Sequence, residues 1–429
     1  MKRILVTGLL MTTTFFVFAQ DIDAIINAKE VERIERKLAS DEMRGRRVFT
    51  PDIDRAADFI ADEFKKIGLQ TWGNSGSYMQ EFAMVRPKFT GISATIDGIA
   101  MDEKNVVVFT CKEKISINKQ SGYEIVSLAA GVNLNREVNK LIRTGKNLIV
   151  LVNSSHAANF SRLTGLKRNV FKFENQVVCI LTDTEPGSFE IKAKHEITEQ
   201  RLANVVAVLP GKSRKEEYVI FSGHYDHLGV TSKPASDDSI YNGANDNAAG
   251  TTAVIMLAKY FKALNNNERT LVFTAFTAEE TGGYGSQYFS QQFADPGKII
   301  AMSNIEMIGT DSKWGKNSAY ITGYEKTDMG SIMQKNLEGT LFTFYPDPYP
   351  EQNLFYRSDN ATLARLGVPA HTISTAKMDG EPNYHKVSDH IETLDMENMA
   401  MIIKSIALSS KTIVAAKETP TRVKVEGLR

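Results

Sequence analysis

The sequence predicts an α/β fold: a mixed, mostly parallel sheet flanked by helices, with a β-rich module inserted. Three observations predict it. From about residue 204 to 415, strand-like and helix-like segments alternate, as in layered α/β sheets. The strand segments are continuous apolar runs, as expected where helices cover both faces. Between residues 97 and 200 the alternation gives way to short β-like runs separated by polar stretches.

Residues 1–19 read as a secretory signal. Lys2 and Arg3 precede the apolar stretch Ile4–Phe18, and Val17 and Ala19 are the small residues before a cut that leaves Gln20 first. An exported chain, periplasmic or secreted, is expected. No later apolar run is long enough to cross a bilayer, so no stable membrane insertion is expected after cleavage.

Residues 20–96 form the first part of the main domain. Thr50 caps a helix that Pro51 opens; Ala56, Ile60, Phe64 and Ile67 recur on one face, and Gly68 ends it. The preceding Arg44-Gly45-Arg46-Arg47 reads as a solvated turn. The insert contributes strands at Val106–Cys111, Asn147–Val152 and Gln176–Leu181 and an amphipathic segment at Leu134–Ile142. His156 and His195 stand alone there, without the company a ligand needs.

In the part spanning residues 201–415, strands are expected at Tyr218–Ser222, Thr270–Phe276, Ile299–Asn304, Ser318–Ile321 and Pro369–Ser374. Helices are expected at Ala248–Ala263, Tyr284–Phe293, Lys326–Leu337, Asp359–Leu366 and Met396–Val414. Residues 416–429 read as a tail, frayed from Thr419. The 429 residues carry 51 basic and 51 acidic side chains, and this balance gives no reason to expect a nucleic-acid partner. Cys111 and Cys179 could pair in an oxidising compartment or stay buried as thiols. Oligomeric state is not legible.

Chemistry gathers where strands end. His224 follows the run Tyr218–Phe221, Glu279 and Glu280 follow Leu271–Phe276, and Glu306 closes Ser303-Asn304-Ile305-Glu306. Asp246 precedes a helix rich in small residues, and His385 lies in Asn383-Tyr384-His385. In open α/β sheets ligands collect outside the carboxyl ends of strands, so these distant segments converge. Each piece has a bland reading: Asp246 as a cap, Glu279-Glu280 as a solvated helix turn. Histidines and carboxylates without cysteine suit zinc or a similar divalent ion.

These segments resemble the co-catalytic zinc peptidase family that includes bacterial leucyl aminopeptidases and glutamate carboxypeptidase. The resemblance rests on His224-Tyr225-Asp226-His227-Leu228-Gly229, Asn242–Gly250, Ala278–Gly282, Asn304–Gly309 and Tyr384–Asp389. It implies two zinc ions bridged by Asp246, one completed by His224 and Glu306, the other by Glu280 and His385. It further implies Glu279 as general base, Asp226 as the residue fixing His224, and Tyr384 as an oxyanion donor. Glu306 departs from the family's commoner aspartate. His227 and His390 are placed outside the metal shell, and Asp237 and Asp238 in solvent. The insert sits where some members carry a protease-associated domain.

The function implied is an exported metallopeptidase acting on peptides, foremost an aminopeptidase. Carboxypeptidase or dipeptidase action on the same scaffold, a glutaminyl-peptide cyclase, and a binding protein without chemistry are the alternatives. Arg357 or Lys386 could receive a terminal carboxylate, and Arg357-Ser358-Asp359 a substrate terminus.

Overall fold

The computed structural model describes residues 22–233 and 237–428, so the expected signal at residues 1–19 lies outside the described residues. The chain divides into two compact units, one of residues up to Gln80 and from Asn204 onward, the other from Glu81 to Ala203.

In the first unit the sheet runs, in spatial order, Thr343–Pro346, Ser318–Ile321, Ala370–Ser374, Ile299–Glu306, Arg214–His224 and Arg269–Phe276, then the end of Phe189–Leu209. The four strands from Ala370–Ser374 to Arg269–Phe276 pair in parallel; residues 205–209 run antiparallel to Arg269–Phe276, and Ser318–Ile321 antiparallel to Ala370–Ser374 but parallel to Thr343–Pro346. Alternation along a strand explains its continuous apolar run. Leu271, Phe273 and Ala275 enter one core, and Val272 and Phe276 the opposite one. The first core is covered by Ala28–Leu38, Pro51–Ile67, Ala249–Leu264 and Met396–Ser409, the second by Tyr284–Ser290 and Asn360–Ala364.

Helix Pro51–Ile67 starts and stops as expected. The Thr50 side chain accepts the Asp52 N–H, and Gly68 takes φ 77°. Some helices are shorter than the sequence suggests: Met329–Asn336 begins after Lys326, and Met396–Val414 breaks at Ser410 into two helices.

Two expectations are corrected here. The Arg44–Arg47 segment is not a solvated turn throughout, because Arg46 is fully buried. Its guanidinium donates to the carbonyls of Leu38 (2.7 Å), Tyr225 (2.8 Å), Asn242 (2.6 Å) and Gly243 (2.8 Å). Gly45 allows this approach at φ 67°: a Cβ there would meet the Gly229 and Tyr241 carbonyls at 2.5 Å.

Nor does the tail fray at Thr419. Arg422 Nη1 donates to Ile299 O at 2.7 Å, Val423 N–H to Gly367 O at 3.1 Å, and Val423 is buried. Buried Arg269 holds the preceding turn through Ile413 O and Glu418 O, both at 2.7 Å.

The second unit starts at Glu81 rather than 97, because strand Met79–Ile96 pairs with Ile99–Ala100 and Val170–Phe171. Its sheet is ordered Val106–Phe109, Val177–Leu181, Leu148–Val152, Glu124–Leu128, with helix Leu134–Ile142 between the last two strands in sequence. Lys114–Asn118 pairs with residues 190–194. Cys111 and Cys179 are both free thiols.

Candidate metal centre

His224 is the last residue of its strand, and the chain turns there, Tyr225 N–H donating to Phe276 O at 2.9 Å. The imidazole is buried, with Nδ1 3.1 Å from the Asp226 backbone carbonyl and 3.7 Å from its carboxylate. So the residue after next does hold the ring, chiefly through its backbone. The Asp226 carboxylate instead accepts the backbone N–H of Glu279 (3.0 Å) and of Glu280 (3.3 Å), locking the two loops together. Burial pushes its carboxyl up to about 7.

Held in this way, His224 Nε2 lies 3.3 Å from Asp246 Oδ1 and 3.3 Å from Glu306 Oε1. His385 Nε2 lies 3.2 Å from the other oxygen of Asp246 and 3.2 Å from Glu280 Oε2. Each oxygen of Asp246 thus lies beside a histidine whose same nitrogen is also within 3.3 Å of a glutamate.

Several side chains missed in the sequence build this arrangement. Asn247 Oδ1 accepts the N–H of Gly250 (2.9 Å) and Met307 (3.1 Å), while its Nδ2 donates to Ile305 O (2.9 Å), fastening the Asp246 loop to the strand that ends in Glu306. Asp389 accepts the backbone N–H of Asn245 and of Asp246 itself. Ser358 donates to Glu306 Oε2 at 2.8 Å and accepts from Asn304 Nδ2 at 2.7 Å, so the longer side chain at 306 is fixed at its far oxygen. The hydrogen-bonding residue types were the only signal for these roles.

His227 enters the cluster although the sequence reading set it aside. Its Nδ1 is 2.8 Å from Glu280 Oε1 and 4.0 Å from Asp246 Oδ2, and it forms a ligand-capable group with them. His385 reaches the inner-facing oxygens of Glu280 and Asp246 more closely than His227 reaches Asp246. His390 lies apart, 3.1 Å from Asp238. Arg357 is exposed at the cleft, whereas Asp359 is buried and its carboxyl pushed up to about 6 by that burial. Asp359 is therefore withdrawn from any substrate terminus.

Glu279 and Tyr384 complete the lining of a cleft of about 530 Å³. Burial, with Asp359, Glu306 and Glu280 close by, pushes the Glu279 carboxyl well above its ordinary value despite His224. The Tyr384 ring stacks on His385 at 3.9 Å, and burial first, then Asp246 and Glu280, pushes its phenol up to about 12. Opposite the carboxylates, Met307, Leu354, Ala376 and Met378 give the cleft an apolar wall.

The residues fit divalent metal. Ligand atoms on two corners of a tetrahedron with bonds of about 2.0–2.1 Å stand roughly 3.3 Å apart, which matches the spacing here. Asp246 Oδ2 is buried and, among the described residues, has only His385 Nε2 at 3.2 Å and His227 Nδ1 at 4.0 Å beside it, without a well-formed hydrogen bond. Carboxylates also outnumber imidazoles around it, and a buried excess of negative charge calls for cations.

Comparison with known proteins follows the same line. Residues 204–409 match the family model described as peptidase family M28. A probable leucine aminopeptidase of Trichophyton verrucosum is 29% identical over 224 residues, 50% of this chain and 58% of that one. A probable zinc metalloprotease of Pyricularia oryzae is 32% identical over 130 residues, 30% of this chain and 25% of that one. The chain thus spans little more than half the length of the first of these relatives. The fold is that of an aminopeptidase from Aneurinibacillus sp. strain AM-1 (TM-score 0.53, 18% identity, 95% and 98% of the two chains). It is equally that of a zinc aminopeptidase from Bacillus subtilis (0.54, 16%, 94% and 97%).

Proposed function

Since residues 204–409 are a peptidase family M28 domain, we propose that the protein is an exported zinc aminopeptidase binding two metal ions. The observation that carries this reading is Asp246, whose two oxygens lie 3.3 Å and 3.2 Å from Nε2 of His224 and His385, each of which lies as close to a glutamate oxygen.

His224, Asp246 and Glu306 would hold one ion, and Asp246, Glu280 and His385 the other, with His227 orienting Glu280. Bound there, such ions lower the pKa of a water and polarise a peptide carbonyl. Glu279, in the cleft beside Glu280, would take a proton from the attacking water and return it to the leaving amine. Tyr384, a phenol that stays protonated at neutral pH, donates a hydrogen bond to the developing oxyanion. The carboxylates of the centre receive the free α-amino group, and the apolar wall takes the first side chain.

The test combines metal analysis with product identification on the chain from Gln20 onward. About two zinc ions per chain and stepwise release of amino-terminal residues are expected, with acetylated peptides left intact. Release from the carboxyl end, or cyclisation of amino-terminal glutamine without cleavage, would overturn the reading. Sequencing the amino terminus of chain recovered outside the cytoplasm tests export; an uncut Met1 would oppose it.

A further inference from the structure

The unit from Glu81 to Ala203 carries its own groove of about 1080 Å³, which plays no part in the metal centre. Arg86, Lys88, Lys104, Lys167 and Arg168 line it against a single carboxylate, Glu103. Lys88 pairs with Glu196 at 3.0 Å. The other cations form no ion pair among the described residues.

Lys167 is the telling member. It is only 7% exposed, yet it lines the groove. Its Nζ donates to the Val108 carbonyl at 2.9 Å and lies 5.6 Å and 5.9 Å from the ring centres of Phe89 and Phe109. A carbonyl and two ring faces orient an ammonium without neutralising it. Buried charges are normally paired, so this one has a place for an anion. Val108 belongs to the outer strand of the four-stranded sheet, which makes the floor rigid. Phe89 is 40% exposed and walls the groove, and buried His195 packs edge-on against it at 5.8 Å.

We propose that this groove binds an acidic peptide segment, Lys167, Arg86 and Arg168 receiving its carboxylates and Phe89 its apolar side chains. The spread of cations and the aromatic wall suit an extended peptide better than one small oxyanion. Clefts lined by one sign of charge also concentrate ligands of the other.

The experiment measures fluorescence anisotropy of a labelled, amino-acetylated peptide of glutamates around one phenylalanine, and of its glutamine counterpart, on the full chain from Gln20. The glutamate peptide should bind at least about tenfold tighter, and Lys167→Met should lose about tenfold. Arg168→Glu, an exposed change that keeps the test informative if the buried variant misfolds, should weaken binding about threefold or more. Hydrolysis of a short neutral substrate should be unchanged in both. Equal binding of the two peptides, or wild-type affinity in both variants, would overturn the proposal. So would full displacement by millimolar inorganic phosphate, which would mark a pocket for a simple ion.

Discussion

Asp389 grips Asp246 by its backbone: Oδ2 accepts the Asp246 N–H at 3.0 Å and Oδ1 the neighbouring Asn245 N–H at 2.9 Å. The side chain that faces both histidine–glutamate pairs is thus aimed by a carboxylate that touches neither.

Asp389→Asn keeps the shape but offers only one acceptor oxygen to two N–H groups. Metal affinity and kcat/KM should fall roughly 10–100-fold together, read by zinc competition and steady-state kinetics. Wild-type metal affinity would remove Asp389 from the support of the centre.

Glu279→Gln removes the proton carrier without touching the paired oxygens of Asp246. Turnover should fall by about 10²–10⁴ while metal content stays at the wild-type level. Loss of metal in this variant would show that Glu279 is itself a ligand.

Ser358→Ala frees the far oxygen of Glu306 and leaves Asn304 Nδ2 without that acceptor. One metal should bind about tenfold more weakly and the other nearly as before. Calorimetric titration of the stripped protein separates the two; equal loss at both sites would contradict the pairing drawn here.

Arg46→Met strands buried carbonyls of Leu38, Tyr225, Asn242 and Gly243. Stability should drop by roughly 3 kcal/mol or more, since each orphaned buried acceptor costs about 1–3 kcal/mol. Urea unfolding measures it, and a change below about 0.5 kcal/mol, the range of ordinary surface substitutions, would deny the guanidinium its structural role.

Glu35 sets a pH dependence. Burial pushes its carboxyl up to about 8, although its hydrogen bond from Thr252 and the charge of Arg46 pull the other way. The folded state therefore holds a proton that the unfolded state has released above pH 4.5, the ordinary value for a glutamate. Stability from this group is complete below that value and is lost as pH rises towards 8. Glu35→Gln should flatten the decline and gain stability at pH 8 but not at pH 4; parallel unfolding curves for both proteins across that range would refute it.

Much of the centre was legible because strand ends are legible. His224 and Glu306 end apolar strands and Glu279-Glu280 closely follow another, so one sheet edge collects them, and Asp246 arrives with the helix that packs behind. Arg46 was not legible: in Arg44-Gly45-Arg46-Arg47 composition points to solvent, and only the approach of four distant carbonyls reverses that. Asp389 and Ser358 act on backbone or on a neighbour's far oxygen, relations with no spacing signature. The docked tail escaped notice because its apolar residues, Val423, Val425 and Leu428, are few and set among charges, and its anchors, Ile299 O and Gly367 O, come from far up the chain.

Asn204 Nδ2 donates to Gln80 Oε1 at 2.9 Å, and Val206 N–H to Tyr78 O at 2.8 Å. The chain therefore leaves the first unit and returns to it at one spot, which has a bearing on birth rather than on catalysis. As the polypeptide emerges from the ribosome, residues 81–203 can close their own cores, since every strand they need is already present. Helices Ala28–Leu38 and Pro51–Ile67 emerge earlier, yet the partners of their apolar stripes, Ala249–Leu264 and Met396–Ser409, come much later. These two early helices are among the last elements to find their partners. Through that interval their uncovered stripes are targets for chaperones and proteases.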